Sequence, residues 1–431
     1  MRSTFLAVLV LAVFTRDRVQ GQSRAEADTF AVYFDEIKSA AAEHKSLWNY
    51  DLYAPLLFVQ RSSRKIYANV PDSAGSLKKE GSVFTGILPA TINISNTSLH
   101  WSGIDWAMVA LPLPRTKNNR LILVLHELFH RAQPHLGFKS YNPANNHLDE
   151  KDGRISLRLE LEALKDAVLA PSEDERTRCV SDALTFRLYR RSLFSKSDAS
   201  ENALELNEGL AEYTGMMSAG LDETAFHKHL QETLYRFLQN PTFVRSFAYQ
   251  TIPLYGYLLH LKRDEWNRDI TDSTDLTKYF LDAYGIRPPG DLKNAVSAVA
   301  DKYDGKNILS EETARKQRTD SLRAEYKKEF LEQPHLDIPF EKMNISFNPD
   351  NIMPLEDKGT VYPDLRITDN WGVLTATKGA LVGLLWEKVT VTAPTKIGNA
   401  VVEGNGWRLE LQKGYSVKKD GKSKNYFLKI Q

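Results

Sequence analysis

The stretch His126-Glu127-Leu128-Phe129-His130 constrains this chain more than any other part of it. Positions i and i+4 of a helix lie on one face, so His126 and His130 can both point a ring nitrogen at a single Zn²⁺. Glu127 then sits beside the metal without being a ligand, placed to move protons. The preceding Leu121-Ile122-Leu123-Val124-Leu125 is apolar all round, and Pro134 cannot continue a hydrogen-bond ladder, so the pattern predicts a buried helix over 121–133. A buried helix with two histidines needs a reason. A bound cation is one, and imidazoles satisfied within the core are the other.

A second segment favours the cation. Leu206-Asn207-Glu208-Gly209-Leu210-Ala211-Glu212-Tyr213 reads as a helix start with two carboxylates at i and i+4, facing the same way. The two segments together resemble the gluzincin metallopeptidases, the thermolysin-like group with HExxH and a later glutamate. The resemblance covers these two short segments. It implies one Zn²⁺ per chain held by His126, His130 and Glu208. Glu212 would then hydrogen-bond a zinc histidine and fix its tautomer, and Glu127 would act as general base on a zinc-activated water. Gluzincins commonly add an oxyanion donor from a downstream tyrosine or histidine. Tyr255 is the candidate, carried towards the cleft if Pro253 starts a helix; an aromatic packed in the core is the equal alternative.

The chain also departs from that family. The interval from His130 to Glu208 is much longer than usual, and helical periodicity over 154–170 and 173–194 is expected to fill it. Glu160 and Glu162 lie in this interval as rival third ligands, though neither has a partner like Glu212. Arg131 stands where the pattern usually has an uncharged residue. The Gly-x-Met-Glu-Asn element of the aminopeptidases is absent, which removes the main support for aminopeptidase activity.

The expected fold class is α+β. A zincin-like catalytic lobe spans 22–334, with a helix and twisted β-sheet over 22–115 and a mainly helical part with the metal site over 116–334. A β-sandwich-like module follows over 335–431. Strands are predicted at 56–60, 65–70, 83–90 and 106–111, the last a candidate to line the cleft with a free edge, or else an interior strand. In the tail, Asn405-Gly406 and Asp420-Gly421 mark hairpin turns. Trp371, Trp386 and Trp407 are expected in its core rather than on a carbohydrate-binding surface. Glu311 to Glu332 alternates in charge and reads as a solvated helical face. His227 and His229, two apart on a helix, point to different faces and make poor joint ligands.

With 56 basic and 55 acidic residues the chain has no global field to attract nucleic acid or an anionic membrane, so nucleic-acid binding is not expected. Phe5 to Phe14 is apolar, too short to span a bilayer, and suits a signal peptide over 1–21. That predicts a secreted or periplasmic protein with no membrane association after cleavage. Cys179 is the only cysteine, so no intrachain disulfide forms, and it reads as a small core residue. Sequons at Asn93, Asn96 and Asn344 matter only in a eukaryotic source. The function expected is zinc-dependent hydrolysis of peptide bonds in a peptide or protein substrate. A catalytically inactive relative that binds peptides or glycans is the alternative, and substrate identity, endo- or exopeptidase preference and oligomeric state stay open.

Overall fold

Strand Leu56–Gln60 is buried at four of its five positions, and it lies centrally in a six-stranded sheet. The computed structural model describes residues 25–348 and 351–430; the apolar segment expected as a signal peptide lies outside them. Two units are distinguished: Met1–Ser140 with Ala211–Asp222 and Asn267–Asp272, and Tyr141–Leu210 with Glu223–Trp266 and Ser273–Gln431. Mixed α and β structure, with a helical middle and a C-terminal sheet region, agrees with the coarse expectation.

In the first unit the strand order is Lys78–Glu80, Val83–Ile87, Lys65–Ala68, Leu56–Gln60, Ile104–Leu111, Thr97–Trp101. Both faces of the central strand are covered, which is why it reads as a continuous apolar run and not as an alternation. Leu57 and Val59 join Ile66, Trp106 and Met108 in one core. On the other face Phe58 stacks on Phe34 with ring centroids 4.9 Å apart, and Phe30 stacks on Tyr67 at 4.0 Å, which docks the helix over residues 25–43. Strand Ile104–Leu111 pairs in parallel with Leu56–Gln60 and antiparallel with Thr97–Trp101. It is therefore interior, and Thr97–Trp101 is the outermost strand on that side of the sheet. The short edge strands had no signal beyond a few polar residues, and polar edges are what a sheet needs there.

The histidine helix follows at Lys117–Ala132. Thr116 caps it by accepting from the Asn119 N–H, and its stop before Pro134 matches the expectation. Arg131 Nε donates to the Asp105 carbonyl at 2.8 Å, so the charged residue in the motif ties the helix to the sheet.

In the second unit, helices Lys151–Leu169 and Glu173–Leu193 pack as a pair, close to the predicted spans. Helix Ser197–Leu204 runs into a π-helical turn, Glu205–Gly209, after which the chain continues as helix Leu210–Met217, which from Ala211 belongs to the first unit. Further on, helices include Ala248–His260 and Gly305–Lys327. From His335 the chain is β. Seven strands form one sheet and six another, and Leu336, Ile338, Val389 and Val391 share a core with Ile367, Trp371, Leu374 and Leu409. Asn405-Gly406 makes the two-residue turn between Val401–Gly404 and Trp407–Leu411, with Gly406 at φ 74° as such a turn requires. Trp371 and Trp407 are buried with their indole N–H groups on the Pro339 carbonyl and the Thr392 hydroxyl, each at 3.0 Å, and Trp386 packs against the same core. Among the described residues no helix is long and apolar enough to cross a membrane.

Candidate metal centre

His126 is 4% exposed and Glu127 5%, so the helix places both in the interior. His126 Nδ1 lies 2.9 Å from Glu212 Oε2, and His130 Nδ1 lies 2.8 Å from Gln133 Oε1. Both partners are acceptors, so each ring carries its proton on Nδ1. The lone pair of His126 Nε2 then faces that of His130 Nε2 across 3.0 Å, with the rings at 79°. Two acceptors this close repel unless a proton or a metal cation lies between them. Gln133 went unnoticed in the sequence, yet its position three after His130 on the same helix puts it on the same face.

Glu212 reaches His126 because helix Leu210–Met217 approaches the histidine helix closely. Gly215 permits this: a Cβ there would stand 2.5 Å from the Ile122 carbonyl oxygen. Trp48 Nε1 donates to the Thr214 hydroxyl at 2.9 Å and holds the same helix from its other neighbour.

Glu208 lies in the π-helical turn and not, as its segment read, in the first turn of a regular helix. The extra residue of such a turn re-aims the side chains around it, and π turns recur at functional sites. Tyr249 donates its hydroxyl to Glu208 Oε2 at 2.5 Å, and Asn207 Nδ2 donates to Glu208 Oε1 at 3.2 Å and to Asn142 Oδ1 at 2.8 Å. Gly209 makes room for Tyr249's helix, since a Cβ would lie 2.5 Å from Ile252 Cγ1. One ligand atom each from His126, His130 and Glu208 fall within 4.8 Å of one another, a set that could hold a metal ion.

The rival acids are committed elsewhere. Glu160 is fully buried between Arg187 Nε and Arg190 Nη1, each at 2.6 Å. Desolvation pushes its carboxyl up, but the two guanidiniums outweigh that and hold it below the usual carboxylate range. Glu162 pairs with Lys165 one turn on. The same network holds Arg187 against Glu205 at 2.5 Å and Arg190 against Glu201 at 2.8 Å, and Thr251 donates to Glu205 at 2.6 Å.

Tyr255 belongs to this network and not to the histidine site, which corrects the expectation for it. Its hydroxyl donates to Glu160 at 3.1 Å, its ring stacks on Phe280 at 4.4 Å, and it has no exposure. Burial, with the Glu160 charge beside it, pushes its phenol well above the ordinary range. The reason lies in Pro253, which sits inside helix Ala248–His260 instead of starting it; the first turn therefore presents Tyr249. His227 Nε2 pairs with the Tyr257 hydroxyl at 3.1 Å, consistent with a structural imidazole.

No family model, curated protein or solved structure matches the chain.

Proposed function

We propose that this chain is an exported zinc-dependent peptidase whose metal is held by His126, His130 and Glu208. The observation that carries the reading is the pair of Nε2 atoms 3.0 Å apart with both Nδ1 positions occupied by acceptors. Two nitrogens on a tetrahedral zinc, at Zn–N of about 2.0–2.1 Å, stand roughly 3.3 Å apart, so the spacing fits that ion. Two imidazoles and a carboxylate are also the donor set of open, catalytic zinc sites and not of closed structural ones.

When bound, zinc supplies a position at which water is acidified and a carbonyl polarised. The chain's own residues do the remaining work. Glu212 and Gln133 fix the rings in the Nδ1–H tautomer, so both Nε2 atoms are available as donors of electron pairs. Asn207 and Tyr249 hold the two oxygens of Glu208. Glu127, next in sequence to His126 and buried, takes the proton of the attacking water and returns it to the leaving amine. Tyr249, whose hydroxyl is already at Glu208, replaces Tyr255 as the candidate for steadying an oxyanion, a role for which its one proton must turn from Glu208.

Elemental analysis of purified protein tests the reading. We expect one zinc per chain in the wild type, lost to a chelator, and no stoichiometric zinc in His130→Ala or Glu208→Ala. Equal zinc in wild type and His130→Ala would refute the assignment.

A further inference from the structure

The helix Gly305–Lys327 reads as solvated from its charge pattern, but one face of it is not. Arg315, Arg318, Leu322, Arg323 and Tyr326, which recur at the helical period, form one wall of a cavity of about 820 Å³. The rest of the lining includes Arg154 and Arg158 and the apolar run Ile352, Met353 and Pro354.

Charge in this cavity is unbalanced. Among the described residues lining it are five arginines and three carboxylates, Asp149, Glu311 and Glu312. Two arginines consume most of the acid: Arg154 Nε meets Glu312 at 2.7 Å, and Arg158 meets Glu311 at 2.6 Å and Glu312 at 2.9 Å. Asp149 already accepts from the Thr242 hydroxyl at 2.5 Å and the Phe243 N–H at 3.0 Å, and Arg154 lies 3.4 Å away. Arg315 donates to the carbonyls of Asp149 and Pro241 at 3.1 and 2.8 Å, and its one ion pair is long, 3.6 Å to the Asp149 carboxylate that Arg154 already shares. Burial and the nearby Arg154 charge hold its guanidinium below the usual range despite Asp149 and Glu312. Arg318 is exposed and has no ion pair among the described residues. Arg323 reaches only rim acids, Glu150 at 3.3 Å and Asp320 at 3.8 Å, and its buried Nε–H has no partner. Across from it, the buried Asn351 Oδ1 is also unpartnered.

We propose that this cavity is a binding site for a small organic anion with two acid groups, carboxylate or phosphate, joined by an apolar linker. Arg318 and Arg323 bind the acid groups, because a guanidinium fork matches the paired oxygens of either, and Arg315 adds its charge beside them. Ile352, Met353 and Tyr326 cover the linker. The volume lies within the range of about 300–1,000 Å³ that small ligands occupy. Glu311 and Glu312 in the wall disfavour a longer polyanion such as a nucleic acid, which would place further phosphates against them.

Calorimetric titration of the full chain at fixed ionic strength tests this with two matched probes, suberate and hexanediol bisphosphate, and with heptanoate as the single-acid control. We expect saturable binding of at least one diacid, about tenfold or more tighter than heptanoate, and the tighter probe names the acid group. Arg318→Glu, at an exposed position outside the ion pairs of the described residues, should weaken that binding about tenfold or more, and Arg323→Gln should do the same. Lys418→Glu, at an exposed position of strand Tyr415–Lys419, should leave it unchanged. Absence of saturable binding by both diacids, or equal binding by wild type and Arg318→Glu, would overturn the proposal. Zinc content is read in the same samples, so failure here is separable from failure of the metal assignment.

Discussion

Tyr249 donates its hydroxyl proton to Glu208 Oε2 across 2.5 Å, while Asn207 Nδ2 holds the other carboxylate oxygen at 3.2 Å. The carboxylate proposed as third ligand is thus gripped from both sides before any metal arrives. Glu208 also emerges from a π-helical turn, where its direction depends on such contacts more than on a regular ladder. Tyr249→Phe keeps the ring and removes the grip. The metal dissociation constant should rise by roughly ten- to a hundredfold, as for other partners of metal ligands. Competition against a chromogenic chelator measures it, and an unchanged constant would show that Tyr249 does not position Glu208.

Glu212 acts on His126 in the same sense. Glu212→Ala should weaken metal binding by about ten- to a hundredfold without abolishing it, because the imidazole remains but can turn and change tautomer. Gly215→Ala probes the approach that makes the contact possible. Its Cβ would lie 2.5 Å from the Ile122 carbonyl oxygen, so the two helices must part. We expect a loss of about 1–3 kcal/mol of stability by urea unfolding, and weaker metal binding with it. A variant as stable as wild type would mean the helices have slack the distances do not show.

Glu127→Gln separates chemistry from metal binding. The substituted side chain is nearly isosteric and cannot accept a proton, so zinc content should stay at the wild-type level while peptide hydrolysis falls by at least about a hundredfold. Peptides with free and with blocked termini, and products identified by mass, are the measurement. Undiminished hydrolysis in Glu127→Gln would remove the proposed mechanism altogether.

What was legible in the sequence follows from which interactions are local. The histidine helix was bounded by an apolar run and Pro134, and the structure ends it at Ala132. Helices Lys151–Leu169 and Glu173–Leu193 showed their period directly, and the strand Leu56–Gln60 showed as a short apolar run. Tyr255 was misplaced because proline at the first helical position is a common rule, while here the helix had begun at Ala248 and the proline fell inside it. The π-helical turn has no residue code of its own, so the segment around Glu208 read as an ordinary helix start. The buried network was invisible for a related reason. Arg187, Arg190 and Arg191 on one helix look like a solvated face, and only the fold brings them to Glu160, Glu201 and Glu205.

That network should leave a signature in the pH dependence of stability. In the folded chain burial raises the Glu160 and Glu201 carboxyls, yet Arg187 and Arg190 draw Glu160 below the ordinary value of 4.5, and Arg190 and Arg191, with help from His147, draw Glu201 well below it. Unfolded, they return to that value and bind more protons than the folded chain does. Their contribution is therefore fully present above a pH of about 4.5 and is lost as pH falls through the folded values. Arg190→Met strips a cation from both acids, since Arg190 lies 2.6 Å from Glu160 and 2.8 Å from Glu201. Glu160 keeps Arg187 and Glu201 keeps Arg191, but each is left with less positive charge than its burial requires, which should cost about 3–5 kcal/mol near neutral pH. The cost should shrink in acid, because a carboxylate that has lost one of its partners takes up a proton at higher pH than the fully paired one. Urea unfolding of both proteins at a pH of about 7 and again at about 5 checks this. A difference between them that is the same at both values would mean that Arg190 contributes by packing and not by charge.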